Sequence, residues 1–573
     1  YVEWQGGNLL RFRKSTREVR DIKPYPGKDE AKLRFNWNTP IHVSPTRRGT
    51  LYVGAQVLFR SADRGESWQR LSPDLTTNDP AKQRQHESGG LSLDNSTAEN
   101  HTTIYTISES PRNADVIWVG TDDGNVQLTR DGGKSWTNVG GATGVPRNTW
   151  VSHVEASPHA EGTAFVTLDG HATGDRKTYV YRTTDFGRTW ESLATPQLEG
   201  YAHVVKQDPV NPGLLYLGTE LGLFLTLDGG RQWARFTGGL PARVSVRDLA
   251  IHAREHDLII ATHGRGVYIL DDLTPLRQLT PEVLDADVAL LPSRPGIMAL
   301  SGTLQEWTGD DEFVGQNPPE AAGIFFYQKR RHLFGDLKVE VYDAGGKLVS
   351  TIPAGKQAGI NRVDWPMRLP PPRVPPASSL IPPAPGPRVP EGTYTFKLIK
   401  GSVTLPGQVV LAADPRSDHP AEDRQLQQRT ALELYRLLEQ LAYGVDAAND
   451  LRDQARKLAE QMGARSGLGR RLSAYADALE AFRRGLVATS EAGFLSGDEK
   501  LREQLGNLYG AVSGYEGRPT SSQLQRKLVL EAGVQDATRR LAALTAQLEA
   551  LNAQLGGRWQ PLRLLGREEW AKR

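Results

Sequence analysis

A chain of 573 residues with 69 Lys+Arg against 67 Asp+Glu carries a net charge of +2. It has no basic excess to neutralise phosphates, which argues against a nucleic-acid partner. It contains no cysteine, so disulfides, thiolate metal sites and cysteine nucleophiles are excluded. No apolar run approaches the ~20 residues that a membrane-spanning helix needs, and a composition 38% hydrophobic and 24% charged suits globular domains.

The chain opens on YVEWQGGNLLRF (1–12), two strand-like runs around a turn. A motif then recurs as SADRGESW (61–68), TRDGGKSW (129–136), TTDFGRTW (183–190) and TLDGGRQW (226–233), with the pattern Ser/Thr-x-Asp-x-Gly-x-x-Trp. Before three of the copies stand LYVGAQVLFRS, IWVGTDDGNVQLT and LYLGTELGLFLT, each a strand, a turn and a strand. The remaining copy follows a longer-turned version, TAFVTLDGHATGDRKTYVYRT. Upstream of these lie TPIHVS, TIYTIS, WVSHVEA and AHVVKQ, each followed by a Pro- or Gly-rich turn. The unit is therefore four antiparallel strands, with the motif at the third turn and its Trp opening strand four. Repetition of such a unit implies a β-propeller over 1–279. A last unit, VRDLAIH, LIIATHGRGVYILDD and PLRQL, lacks the motif. The first unit lacks its strand one, so the chain is expected to start inside a blade, with an upstream propeller segment or a partner chain completing the ring.

The segment 280–322 reads as a connector. Strand-like IFFYQ, LKVEVYDAGGKLVSTI, INRVDW and GTYTFKLIKG then predict a β-sandwich over 323–415, interrupted by a Pro-rich loop at 366–390. That loop reads as a polyproline-type surface segment, available to a partner but more simply a plain loop. From 420 to 556, Leu/Ala/Gln/Arg/Glu-rich sequence with apolar residues at helical spacing predicts an antiparallel helical bundle, and 557–573 a C-terminal tail.

The four repeated turns resemble Asp boxes, also called bacterial neuraminidase repeats, known from sialidases, xyloglucanase-type glycosidases and the sortilin ectodomain. RFNWNTP (34–40), SPDLTTND (72–79), GTDDG (120–124) and THGRGVYILDDLTPLRQL (262–279) resemble more closely a large bacterial family labelled sortilin-like or glycosyl hydrolase. GINRVDW and PEGTY give 323–415 a likeness to the Ig-like sandwich of flagellar hook-capping proteins. The resemblance implies a secreted, periplasmic or cell-surface protein and leaves its activity open.

Asp63, Asp131, Asp185 and Asp228 occupy the same place in every copy. Chemistry needs a unique constellation, so these acids are expected to accept hydrogen bonds from their own turns. Successive turns of an antiparallel unit alternate between its two ends. Ligands are therefore expected at the end opposite the repeated turns, where irregular loops converge. Turn two supplies Gln56, Asp122, Asp123, Asp169, His171, Glu220, His263 and Arg265 to that mouth. The crossovers supply Asn36, Trp37, Asn38, Glu99, His101, Arg147, Trp150, Tyr201, His203 and Arg247. His263 and Arg265 suit either an anion or a closing ion pair from Arg265 to Asp271 or Asp272.

No Arg-Ile-Pro, His-Glu-x-x-His, Gly-x-Ser-x-Gly or phosphate-binding glycine loop is present, and no cofactor or metal is expected. The leading expectation is a non-catalytic propeller that binds a glycan or peptide at its mouth. A glycoside hydrolase is the alternative, pairing Asp122 or Asp123 with Glu220, or with Glu99 as the other acid. A structural part of a surface assembly is the third.

Overall fold

The computed structural model describes residues 1–572 except 89–90, 93–94, 97, 301–314, 316, 378–384, 464 and 490–498. The chain forms two compact units, Tyr1–Leu284 and Asp285–Arg573. It is mainly β, with several small antiparallel sheets in chain order and helices toward the C-terminus.

The first unit is a propeller-like series of six sheets. Sheet 1 holds Val2–Trp4, Asn8–Arg13 and Glu18–Asp21; sheet 2 holds Ile41–Val43, Leu51–Gly54, Leu58–Ser61 and Gln69–Arg70. Sheet 3 holds Ile104–Ser110, Asn113–Thr121, Val126–Thr129 and Thr137–Asn138; sheet 4 holds Trp150–Ala156, Ala164–Asp169, Tyr179–Thr183 and Glu191–Ser192. Sheet 5 holds Ala202–Gln207, Leu215–Thr219, Gly222–Thr226 and Ala234–Phe236; sheet 6 holds Val246–His252, Asp257–Thr262 and Val267–Leu270. Sheets 2 to 5 have four strands in sequential order, and sheets 1 and 6 have three.

The hydrophobic core is divided into layers between consecutive sheets. Side chains alternate along a strand, so one strand feeds two layers: Leu215 and Leu217 enter the layer between sheets 4 and 5, Tyr216 that between sheets 5 and 6. This explains why strand two of each unit reads as an unbroken apolar run rather than an alternating one. In sheets 2, 3 and 5 the Gly near its end lies against the next sheet. A Cβ on Gly120 would lie 2.5 Å from Val151 Cγ1.

The four repeated turns have one geometry. In the second copy Thr129 Oγ1 donates to Asp131 Oδ1 (2.8 Å) and accepts from Gly133 N (2.9 Å). Asp131 in turn accepts from Ser135 N (2.9 Å) and Ser135 Oγ (2.6 Å). Asp63 and Asp185 repeat this pattern with Ser67 and Thr189. Asp228 accepts from Arg231 N and Gln232 N, both at 3.0 Å. These donors hold all four carboxyls below the usual range: the Ser67 hydroxyl leads for Asp63, brought to about 2, the Ser135 hydroxyl for Asp131 and the Thr189 N–H for Asp185. At Asp228 burial opposes the shift and the hydrogen bonds outweigh it.

Each turn also clamps the preceding sheet. The Trp indole donates to the carbonyl just past that sheet's last strand: Trp68 to Ile22 (2.7 Å), Trp136 to Leu71 (3.5 Å), Trp190 to Val139 (3.1 Å) and Trp233 to Leu193 (3.0 Å). The glycine four residues after the Ser/Thr lies on the side chain of that same residue. At Gly187, with φ +77°, a Cβ would stand 2.7 Å from Val139 Cβ. Both its positive φ and this contact require glycine.

In the second unit two sheets enclose one core. One contains Val288–Leu291, Ala322–Gln328 and Gly359–Trp365; the other contains Gly296–Met298, Val403–Ala413, Gly392–Lys400, Leu337–Tyr342 and Leu348–Pro353. The expected connector 280–322 therefore supplies two sheet strands. Ala289 and Leu291 read as part of a loop in sequence, but they pair with Tyr327 and Phe325. The long helices are Ala421–Met462, Gly467–Arg484, Leu501–Ser513 and Ser521–Thr545, and they share one apolar core. The last of them opens on a capping box, in which the Thr520 hydroxyl accepts from Gln523 N and the Gln523 side chain accepts from Thr520 N. The tail 557–572 is not loose: Trp570 is buried in the helical core and donates to Asp446 Oδ2 (2.8 Å). Of the Pro-rich stretch 366–390, residues 378–384 lie outside the described residues. Its flanks are tied to helices, through Arg373 N to Glu439 (2.6 Å) and Tyr509 Oη to the Pro385 carbonyl (2.6 Å). No helix among the described residues is long and apolar enough to cross a membrane.

Candidate functional site

Strand register places turn two beside the start of strand one, and the repeated turn at the opposite end. Asp169 pairs with Trp150, and Thr219 with Ala202, whereas Thr183 pairs with Ala164 and Thr226 with Leu215. Backbone bonds join turn two to the crossover in sheets 3, 5 and 6: Asp122 N to Thr103 O (3.1 Å), Glu220 N to Tyr201 O (3.0 Å) and His263 N to Ser245 O (2.9 Å).

Strand one carries a register shift at one place in four sheets, between Ile104/Thr106, Val151/His153, Ala202/Val204 and Val246/Asp248. The residues left unpaired are Tyr105, Ser152, His203 and Arg247. A bulge bends the strand and re-aims a side chain. Here it brings members of adjacent sheets together: Arg247 Nη1 stands 3.4 Å from His203 Nδ1, and Ser152 Oγ donates to the Ala202 carbonyl (2.9 Å).

Around His203 the predicted mouth residues of sheets 4, 5 and 6 form one connected group. His203 Nε2 lies 2.9 Å from Glu220 Oε2, and its Nδ1 lies 3.9 Å from Asp169 Oδ2. Asp169 Oδ1 accepts from His171 N (2.9 Å) and lies 2.7 Å from His171 Nδ1. Ser245 Oγ donates to Glu220 Oε2 (2.8 Å). Tyr201 stacks on His171 (centroids 4.6 Å apart, planes 10° apart) and meets His203 edge-on.

The bonds fix a consistent proton arrangement. The Glu220 carboxylate can only accept, so His203 donates to it from Nε2, while Arg247 Nη1 lies over the ring at 3.4 Å from Nδ1 and 3.3 Å from Nε2. Burial first, then the Arg247 charge, lowers the His203 pKa and keeps the ring neutral. Burial would raise Glu220, but the hydrogen bonds from His203 and Ser245 outweigh it and hold its carboxyl below the usual range. Glu220 is therefore an ionised acceptor whose side chain is 36% exposed, while Asp169 is nearly covered. Arg247 is exposed and forms no carboxylate ion pair among the described residues.

The other expected residues separate from this group. Asp122 and Asp123 are buried. Asp122 accepts from Thr103 N (2.8 Å), Thr103 Oγ1 (2.6 Å) and Asn36 Nδ2 (3.1 Å); Asp123 accepts from Thr77 N (2.7 Å) and Thr121 Oγ1 (2.5 Å). Both carboxyls are engaged by the loops they hold, which sets these two candidates apart from the group around His203. Glu99 is half-buried on its own loop, where it accepts from Ser96 N (2.6 Å) and Ser96 Oγ (2.8 Å). His101 sits 3.8 Å from Asp122 Oδ1. Gln56 is buried and caps Arg34 N (2.7 Å), while Trp37 and Arg147 are exposed. Trp150 packs edge-on against Tyr105 (4.8 Å), and Asn38 adjoins the Tyr105 hydroxyl. His263 and Arg265 are exposed on the sheet 6 turn. The closing ion pair expected of Arg265 is made instead by Arg277, which takes Asp208 with Nε (3.0 Å to each oxygen) and Nη2 (3.0 Å).

Tyr105, Ser152 and Ser245 were missed in sequence. Aligning strand one of the units puts Tyr105 and Ser152 in register with His203 and Arg247, which is the signal that finds them.

Further along the same strands lies an ionic group, with Lys206 Nζ 2.7 Å from Glu155 Oε2. His42 Nε2 accepts from Glu109 N (3.2 Å). Burial and then the Lys206 charge lower the His42 pKa to about 4. Its ordinary value is 6.5, so the unfolded chain binds a proton at His42 that the folded chain refuses between these values. Stability from this group is full above pH 6.5 and is lost as pH falls toward about 4, by roughly 2–3 kcal/mol. A His42→Gln variant is expected to show a shallower fall in urea midpoint across that window, and an unchanged slope would refute the assignment.

Among the described residues no group of three or more His, Asp or Glu could hold a metal ion. No family model matches the chain. An oligoxyloglucan-reducing end-specific xyloglucanase of Emericella nidulans is 32% identical over 305 residues, covering 47% of this chain and 36% of that protein. The chain thus spans little more than a third of that relative's length. Similar solved structures include an ancestral GH74 enzyme (12% identity, 66% of this chain and 46% of that chain, TM-score 0.32). The GH74 xyloglucanase from Xanthomonas campestris is 13% identical over 68% of this chain and 46% of that chain, with a TM-score of 0.31. YCF48 from Cyanidioschyzon merolae is 20% identical over 29% of this chain and 56% of that chain, with a TM-score of 0.21.

Proposed function

We propose that the chain is the glycan-handling part of a secreted β-propeller glycoside hydrolase, with Asp169 and Glu220 as its carboxyl pair. One observation carries this reading: the two carboxyls address opposite nitrogens of the single imidazole of His203, beside the Tyr201–His171 stack and the exposed Arg247. Glycoside hydrolysis needs two carboxyls across a bond, ~5–5.5 Å apart for retention or ~6.5–9.5 Å for inversion. Glu220, held ionised, takes the nucleophile or base side. Asp169 and the half-exposed His171 ring bonded to it deliver the proton to the leaving oxygen. Tyr201 offers a face for a sugar ring, and Arg247 donors for hydroxyls. Partial identity to a xyloglucanase supports a β-glucan as substrate class and favours this reading over a non-catalytic propeller.

A second reading keeps the site without turnover. It is favoured by the hydrogen bonds that keep Glu220 ionised, because an acceptor so held grips hydroxyls without exchanging protons. In the same proposal the four repeated turns are Asp boxes that join blades, and 323–415 is an Ig-like module.

The test is hydrolysis and binding of xyloglucan and cello-oligosaccharides by wild type, Asp169→Asn and Glu220→Gln. Each variant is expected to lose turnover by about 10²-fold or more, as removal of an acid–base group does, with binding retained. Binding without turnover in wild type would establish the second reading; neither signal would defeat both.

A further inference from the structure

The loop 329–336 joins Ala322–Gln328 of one second-unit sheet to Leu337–Tyr342 of the other, and reads KRRHLFGD. Leu333 and Phe334 stand at its tip, 65% and 85% exposed. Burying apolar surface is what such residues ordinarily do, and two adjacent ones on a projection need a reason.

The loop is not slack. His332 N donates to the Lys356 carbonyl (2.9 Å), Lys356 Nζ donates to the Gly335 carbonyl (2.9 Å), and Lys329 N donates to the Asp287 carbonyl (3.2 Å). The backbone on both sides of the tip is therefore fixed, and Leu333 and Phe334 are held outward. Around them Arg330, Arg331 and Lys356 are exposed. Lys329 pairs with Asp285 (3.1 Å), Lys400 with Asp287 (2.7 Å), and Asp336 is the remaining carboxylate of the loop. Cations thus outnumber carboxylates around the tip.

We propose that this loop docks the second unit on an anionic phospholipid surface, with Leu333 and Phe334 entering the headgroup–acyl boundary and Arg330, Arg331 and Lys356 contacting lipid phosphates. Two side chains on a convex tip offer too little area for a stable protein interface, which needs about 800 Å² per partner. A deformable interface accepts such a tip, and one apolar anchor combined with a basic patch is the pair of signals that makes lipid binding stable. The inference is independent of the proposed activity, because it uses no residue of the first unit.

The experiment is co-sedimentation of the full 573-residue chain with vesicles of phosphatidylcholine alone, or of phosphatidylcholine mixed with phosphatidylglycerol. Wild type is expected to bind only the mixed vesicles. Arg330→Gln with Arg331→Gln is expected to weaken binding about 25-fold, at about fivefold per charge. Leu333→Ser with Phe334→Ser is expected to weaken it at least about tenfold, with the larger loss at raised salt, where only the apolar contact resists screening. An unchanged thermal transition shows that the variants fold. Wild type that ignores the mixed vesicles, or serine variants that bind as wild type does, would overturn the proposal. So would binding lost only by the arginine variant, which is plain adsorption of a basic surface. A shift from dimer to monomer in the serine variants without any vesicle binding would make the tip a self-contact and also defeat it.

Discussion

Replacing Trp233 by alanine is expected to destabilise the first unit by about 3–5 kcal/mol, the usual cost of emptying a large aromatic site. Trp233 is 4% exposed, fills the layer between sheets 4 and 5, and donates its indole N–H to the Leu193 carbonyl at 3.0 Å. Trp233→Phe keeps most of the volume and drops the donor, so it isolates a hydrogen bond of about 1 kcal/mol plus a modest packing defect. Trp136→Ala should cost less, since Trp136 is only partly buried and its N–H reaches Leu71 at 3.5 Å. Urea titration followed by the first unit's own transition reads this order. A Trp233→Ala loss under 1 kcal/mol, or a larger loss at Trp136, would show that these indoles do not carry the joints between sheets.

The second large effect is expected at Arg277. Its side chain is 4% exposed and that of Asp208 is 0% exposed, so the two charges face each other away from water. Asp208 also orders its turn, accepting from Val210 N and Asn211 N at 2.8 Å. Arg277→Met strands a buried carboxylate and is expected to cost about 3–5 kcal/mol. Adding Asp208→Asn removes the stranded charge while keeping an acceptor for the turn, and should recover a large part of that loss. The double-mutant cycle therefore predicts strong coupling. Additive losses would mean that the pair is incidental and that sheet 6 is held by its apolar layer alone.

The Arg277 case shows where sequence reasoning reached its limit. The repeat was legible because Asp, Gly and Trp recur at fixed offsets, and those offsets set the strand order and the end at which ligands should be sought. His203, Asp169, His171, Tyr201, Glu220 and Arg247 could be placed at that end from strand counting alone, and they do meet. Which acids join the group around His203 was not legible. Asp122 and Asp123 resemble Asp169 in a pattern of turns, and only the positions of Thr103 and Thr77 decide that they serve neighbouring loops instead. Arg265 and Arg277 are equally plausible as seals until the helix Thr274–Arg277 turns one of them back onto Asp208. The bulges were missed because a one-residue register shift leaves no mark in an apolar run. In 280–322 the strands are short, and Gly296–Met298 pairs with Leu411–Ala413 across more than a hundred residues, a distance at which local pattern says nothing.

The joints between sheets have a polarity. Sheets 2 to 5 each carry a plug, the indole and bare glycine, that fits a socket on the sheet before it, the carbonyl and side chain just past that sheet's last strand. Because plug and socket differ, the coupling is heterologous and reads in one direction along the chain. Units can be inserted, lengthened in their loops or deleted without redesigning their neighbours, provided each newcomer carries both halves. Stability then accrues joint by joint, while the residues at the far end of each sheet are free to diverge. One sheet can spend its turn on Asp123 and a neighbouring loop, the next on Asp169 and a histidine, with the same fastening underneath.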